Sequence, residues 1–184
     1  IEGSTVRGQQ PCACPSGTSI MVKNLLFNVP ARRNFLKSDP AELRHIIEEF
    51  QRVVLVNPDI SFHFINNGKP QFQLAKSSLK QRIANVLGNG YLEKLLLVEQ
   101  ETDVVKINGY IGKPESARRT RGEQYFFANN RFIKHPYLNH AVEDAFQQLI
   151  PEGYFPTYFI FMTVNPADID INIPENNKTF ENRF

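Results

Sequence analysis

Residues 135–164 constrain the fold most, because a helical period and a strand period stand end to end there. Leu138, Ala141, Val142, Ala145, Phe146, Leu149 and Ile150 recur at steps of three and four, which predicts a helix with one apolar face, and His135-Pro136 marks its start. The run TYFIFMTV at 157–164 reads as a buried strand. Upstream, QYFFANNRFIK at 124–134 reads as a strand or a hairpin around Asn129-Asn130. A strand, a helix and a strand in that order predict a right-handed crossover into one sheet.

The preceding segments supply more layers. Asp39 as cap, Pro40 at the first position and Glu42 at the third open a helix carrying Leu43, Ile46, Ile47, Phe50, Val53 and Val54 on its period, and Asn57-Pro58 ends it. ISFHFI at 60–65 alternates, Asn67-Gly68 is a hairpin turn signal, and Phe72 and Leu74 point inward on the return strand. Residues 78–87 form a helix with Leu79, Ile83, Val86 and Leu87 on one stripe and Gly88 as its stop. YLEKLLLVEQ at 91–100 is ambiguous, and VVKINGYIG at 104–112 reads as a strand. With 184 residues, 41% hydrophobic and 22% charged, one core-bearing domain of ordinary size is expected.

Near the start, residues 19–27 alternate loosely, with Ile20 and Val22 on one face, and predict a strand leaving a Gly17-Thr18 turn. Pro30 then opens a short helix, ARRNFLKS, with Asn28 as its cap; Phe27 and Phe35 would pack on either side of the turn, while Arg32 and Arg33 leave it on different faces. Cys12 and Cys14, two residues apart, seldom bridge without strain and read as reduced thiols of an intracellular protein. His45, His63, His135 and His140 have no zinc spacing. The chain opens on Ile1 without a signal peptide or a membrane-length apolar run, and is expected to be a piece of a longer protein.

Candidate chemistry is concentrated in cations. The net charge is only +2, yet residues 113–134 hold Lys113, Arg118, Arg119, Arg121, Arg131 and Lys134 against Glu115 and Glu123. Arg118, Arg119 and Arg121 sit on a polar loop between two strands, and with Arg131 and Lys134 alternating nearby these five are expected to converge and contact phosphates without sequence choice. A solvated loop is the competing reading of the same run. Tyr125, Phe126 and Phe127 are candidate stacking platforms, but adjacent residues of a strand face opposite ways and most of the three are assigned to the core. Asp168 and Asp170, alternating on a last strand DIDINI, form a weak metal pair that is expected to be solvated. No GxxxxGK[ST], GxGxxG, HExxH or serine elbow is present.

Taken together, GTSIMVKNLLFNVPARRNFLKS at 17–38 resembles a signature of the MutL family of DNA mismatch repair proteins, in which Gly-Thr opens a strand and a Leu-Phe-Asn segment runs into Pro-Ala-Arg-Arg and a Phe-Leu pair. ANNRFIKHPYLNHAVEDAF at 128–146 is similar to the family's Asn-Gly-Arg strand and following helix, with Asn130 in place of the glycine, and VNPADIDINI at 164–173 to its final strand. The resemblance implies an α+β chain with helices packed on one face of a mixed sheet, in a ribosomal-protein-like transducer fold. Residues 1–18 would be the end of a GHKL-type ATPase domain, 19–38 the interdomain joint (Phe27, Asn28, Pro30, Arg32, Arg33, Phe35) and 39–184 the transducer.

The resemblance also implies a function. The intact parent would be a weak ATPase using ATP and Mg, with the magnesium and adenine motifs upstream of Ile1, so that this stretch alone is not catalytic. Gly17, Thr18 and Lys178 would be linked to the nucleotide, although Lys178 stands in PENNKT where the family has His-Pro-Thr-Lys-Thr-Glu. Partners would be DNA, a mismatch recognition protein and other repair proteins, and a second copy of the parent; the location would be the bacterial cytoplasm, at the nucleoid, with no membrane. A non-catalytic RNA-binding or assembly module of the same fold is the alternative.

Overall fold

The computed structural model describes residue 1 and residues 5–168; Asp170 and Lys178 lie outside this range, as does most of the expected strand 168–173. Its first residue, Asp168, belongs to a 3-10 turn, Pro166–Asp168. Two compact units divide the chain, Ile1–Ile47 and Glu48–Phe184.

In the first unit, residues 19–23 are not a strand, contrary to the alternation. A strand needs a neighbouring edge to satisfy its amides, and the described part of this unit contains no strand for it to join. Asn24–Asn28 make a turn instead, with Asn24 and Leu26 at φ 52 and 69. Helix α1, Pro30–Arg33, is a single turn whose cap is Val29, without a side-chain hydrogen bond, and not Asn28. Phe27 and Phe35 do not pack around it: both are exposed, along with Ile20, Met21, Val22 and Leu25. Helix α2, Asp39–Val56, begins one residue earlier than its expected cap allows. The Ser38 carbonyl accepts from the amides of Ala41 and Glu42, and the Glu42 carboxylate accepts from the Lys37 amide. Asp39 is thereby left in the first turn, where a carboxylate favours the positive end of the helix.

The second unit is built on two sheets. Strands β1, Phe62–Asn66, and β2, Lys69–Leu74, pair antiparallel around Asn67 and Gly68, both at positive φ, so the Asn-Gly signal reads correctly. Helix α3, Leu79–Leu87, starts on Ser78, whose hydroxyl accepts from the Gln81 amide, and stops at Gly88. Phe50 of α2 packs against the rings of Phe62, Phe64 and Phe72, with Val54, Leu74 and Val86 buried beneath.

The larger sheet contains β3, Leu95–Glu101; β4, Val105–Gly112; β5, Gln124–Ala128; β6, Arg131–Ile133; and β7, Tyr158–Val164, in the order β3-β4-β7-β5-β6. All neighbours are antiparallel except β5 and β7. The parallel crossover therefore runs from β5 to β7, with β6 and helix α4, Pro136–Phe146, both inside the connection. The α+β class and mixed sheet are as expected, while the helices divide between both faces. Leu55 of α2 and Ile83 of α3 join Tyr91, Leu95, Tyr125, Phe127 and Phe159 on one face; Leu138 and Val142 of α4 cover Phe126, Tyr158 and Ile160 on the other. Tyr125, Phe126 and Phe127 are thus core residues, and full burial of each phenylalanine contributes roughly 2–3 kcal/mol.

Burial also fixes the ionisation of three phenols. The Tyr125 hydroxyl donates to the Gln51 side-chain carbonyl (3.2 Å) and burial pushes its pKa up to about 12; Tyr158 and Tyr91 are raised by burial as well, aided by Glu143 and by a hydrogen bond to Glu123 respectively. A raised phenol favours folding fully below the ordinary value of 10, and that contribution is lost as pH climbs through the folded value. We expect stability to be flat up to pH 10 and to fall steeply toward pH 12. Half of the six tyrosines should gain phenolate absorbance only as the fold is lost. Titration of all six near pH 10 with intact near-ultraviolet dichroism would contradict this packing.

Candidate functional site

The basic loop between β4 and β5 is held at both ends. At its start the Lys113 amide donates to the Lys94 carbonyl (2.8 Å), and a 3-10 turn, Pro114–Ser116, is closed by the Ser116 hydroxyl donating to the Lys113 carbonyl (2.6 Å). In its middle, Arg118 and Phe155 exchange backbone hydrogen bonds of 3.0 and 2.7 Å. A loop stapled in this way cannot swing freely, so its arginines point where the fold directs them.

Two of those arginines are paired with carboxylates of the protein itself. Arg118 Nε lies 3.2 Å from the Glu123 carboxylate, and its Nη2 donates to the Tyr91 hydroxyl at 2.6 Å. Tyr91 in turn donates to Glu123 (2.5 Å), as does the Thr157 hydroxyl (3.0 Å), so one half-buried carboxylate gathers three donors. Arg121 meets Glu143 of α4 through both terminal nitrogens, at 2.6 and 3.2 Å, and lies 4.1 Å over the Phe155 ring. Arg119 differs: its Nε donates to the uncharged Tyr154 hydroxyl at 3.0 Å, and among the described residues no carboxylate answers its charge.

Arg131 and Lys134 are exposed on and just after β6, without an ion pair among the described residues. Arg131 pairs with Ala128 at the far end of β5, whereas the loop enters that strand at Gln124. Four residues of strand separate those ends by on the order of 13 Å. The five expected cations therefore do not converge. Arg118, Arg119 and Arg121 gather at one end of the sheet, Lys134 follows the edge strand, and Arg131 stands at the opposite end.

The turn that carries Arg131 is anchored by an asparagine. Asn129 and Asn130 sit at φ 45 and 65, and the Asn129 amide donates from Nδ2 to the Val164 carbonyl (2.9 Å) while its Oδ1 accepts from the Val164 N–H (3.0 Å). Its own backbone N–H donates to the Met162 carbonyl (2.9 Å), continuing the β5–β7 ladder by one more rung. The Asn-Asn pair was readable as a turn, but this pairing depends on where β7 ends. Lys94, Tyr91, Glu123, Glu143 and Tyr154 were likewise missed; only Glu123, close to the arginine run, left a trace in the sequence.

Each remaining candidate has its own setting. Gly17 and Thr18 lie in irregular, exposed chain, and Pro30, Arg32 and Arg33 are exposed on α1. The Cys12 and Cys14 thiols are free, with Sγ atoms 3.7 Å apart. His63 is exposed on β1. Among the described residues no three His, Cys, Asp or Glu side chains assemble a metal site, and no helix is long and apolar enough to cross a membrane.

The profile of the family described as DNA mismatch repair protein, C-terminal domain, matches residues 83–177. The DNA mismatch repair protein MutL of Christiangramia forsetii is 55% identical over 173 residues, 94% of this chain and 28% of that protein. The MutL of Flavobacterium psychrophilum is 51% identical over the same share of each. Among solved structures, the Aquifex aeolicus MutL ATPase domain complexed with ADP has 25% identity and a TM-score of 0.58, covering 79% of this chain and 52% of that one. The N-terminal domain of a DNA repair protein, at 19% identity and a TM-score of 0.68, shares the fold over 78% of this chain and 48% of that one.

Proposed function

Because the chain belongs to the MutL family of DNA mismatch repair proteins, we propose that its second unit is the transducer of such a protein, coupling ATP binding in a preceding domain to DNA binding and dimerisation. The observation that carries this reading is partial coverage: the chain matches about half of a MutL ATPase-domain chain solved with ADP. In this reading ATP and Mg belong to the rest of the parent, and this stretch to transmission rather than hydrolysis. Residues 1–18 then finish the nucleotide domain and 19–38 form the joint, whose exposed Phe27, Phe35, Ile20 and Val22 are apolar surface suited to a neighbouring domain. Gly17, Thr18 and Lys178 keep their proposed link to the nucleotide.

The partners proposed are DNA without sequence preference, a mismatch recognition protein and other repair proteins, and a second copy of the parent, in the bacterial cytoplasm at the nucleoid. Of the five expected cations, Arg119, Arg131 and Lys134 lack a carboxylate partner among the described residues and are the ones available to phosphates; Arg118 and Arg121 hold the loop. Binding of duplex DNA across a salt series tests this division. Each phosphate contact contributes about 0.9 to the slope of log affinity against log salt. The double variant Arg131→Ala, Lys134→Ala should therefore be shallower by about 2, with its melting temperature unchanged. Unchanged slope in that variant would remove both residues from the interface, and a preference for RNA would favour a non-catalytic RNA module instead.

A further inference from the structure

Beside the stapled loop lies a shallow polar cavity of about 380 Å³, lined by Tyr91, Lys94, Glu115, Ser116, Arg119 and Tyr154 together with the backbone around them. Its hydrogen-bonding groups divide sharply into those already used and those left over. The Ser116 hydroxyl is committed to the Lys113 carbonyl, and the Tyr91 hydroxyl is committed to Glu123 and Arg118. What remains are donors. Arg119 spends only Nε on Tyr154, leaving both terminal nitrogens; the Tyr154 oxygen accepts that bond, so its own proton is free to be given. Lys94 is exposed and has no carboxylate partner among the described residues. Against these two cations stands one lining carboxylate, Glu115.

We propose that this cavity is a seat for a single phosphate group, gripped by the Lys94 ammonium, the Arg119 guanidinium and the Tyr154 hydroxyl. An ammonium, a planar fork and a phenol are the donor set that matches a tetrahedral oxyanion, and the charge they leave uncompensated is positive. The Arg118 and Tyr91 side chains form the adjoining wall, and the Arg118–Phe155 backbone pair sets Arg119 beside Tyr154. The seat adds Lys94, which no reading of the basic loop includes, and it rests on the DNA-binding reading above only for its source of phosphate. That source is either the backbone of a nucleic acid or a free phosphate ion.

Amide NMR on the full chain at low salt, titrated first with inorganic phosphate and then with a short DNA duplex, tests the seat. Phosphate should move the signals of Lys94, Ser116, Arg119 and Tyr154 in a saturable way that an equal concentration of chloride does not reproduce. Lys94→Gln and Arg119→Gln, both at exposed positions, should each weaken phosphate by about tenfold without altering the melting temperature. If the duplex shifts the same signals and competes with phosphate, the seat takes a backbone phosphate. Saturable shifts with phosphate but not with duplex would keep the seat, assign it to a free ion and count against this end of the sheet as a DNA contact. Absence of saturation, or an unchanged affinity in both variants, overturns the proposal even where the duplex still binds through Arg131 and Lys134.

Discussion

Alanine at Gly109 is expected to unfold the larger sheet, with a loss of at least about 4 kcal/mol and a fall in melting temperature on the order of 10 °C. Gly109 lies in the middle of β4, opposite Val98 of β3 and Ile160 of β7, with φ at 144. A Cβ placed there would stand 2.0 Å from the Phe159 carbonyl oxygen, 3.0 Å from its carbon and 3.2 Å from the Ile160 Cα. All three are backbone atoms of a paired strand, so no rotamer change relieves the overlap. β7 would have to separate from β4, and Phe159, fully buried on the face covered by α2 and α3, would go with it. Thermal melting of Gly109→Ala followed by circular dichroism measures this directly. A melt within 2 °C of the parent would mean that β4 and β7 are not paired in the register described.

Arg82→Ala should be the next most damaging change, at about 4 kcal/mol, with Arg82→Met losing roughly half as much. Arg82 is fully buried, and its Nη2 donates to the carbonyls of Pro58 (2.9 Å), Ile60 (2.6 Å) and Ala75 (3.0 Å). One side chain of α3 thus pins both strands of the small hairpin at their open ends. Its guanidinium also lies 5.5 Å from the Phe62 ring. Burial lowers its pKa below the ordinary value, opposed by the charge of Asp59, yet an arginine remains protonated at any physiological pH. Removing it exchanges two costs. Three carbonyls lose a donor, while the desolvation of a cation whose Nε and Nη1 have no partner among the described residues is relieved. Methionine fills the space and keeps only the first cost; alanine adds a cavity. Equilibrium urea unfolding of the two variants separates these contributions. Arg82→Met equal to or above the parent in stability would show that the buried charge costs more than its three bonds return.

The elements most legible in the sequence were those whose signals are local. Asn67-Gly68, the Gly88 stop and the Asn129-Asn130 turn each specify a backbone geometry within a few residues, and each is found in place. The period of 138–150 located α4 correctly but overran it. The helix ends at Phe146, after which a turn carries Leu149 into solvent. The alternation at 19–27 failed for a different reason, since a strand is a property of a pair and the described part of that unit offers none to join. The cations show the same limit in electrostatic form. Arg118 and Arg121 look identical to Arg119 in the sequence, and only the folded path of β5, α4 and Phe155 brings a carboxylate to the first two and a phenol to the third. Lys94 sits 19 residues before the loop it adjoins, too far for any local pattern to reveal.

The Asn129–Val164 pairing makes position 129 chemically exclusive. A latch on both backbone groups of one residue requires a donor and an acceptor side by side on a stem one carbon long. Aspartate offers no donor, serine and threonine reach with a single atom, and glutamine overshoots by a methylene. Of the twenty letters available, one fits. The end of β7 is therefore spelled by a residue in the turn after β5, 35 positions earlier. A change of spelling there would loosen that end of β7 without touching a single residue in it.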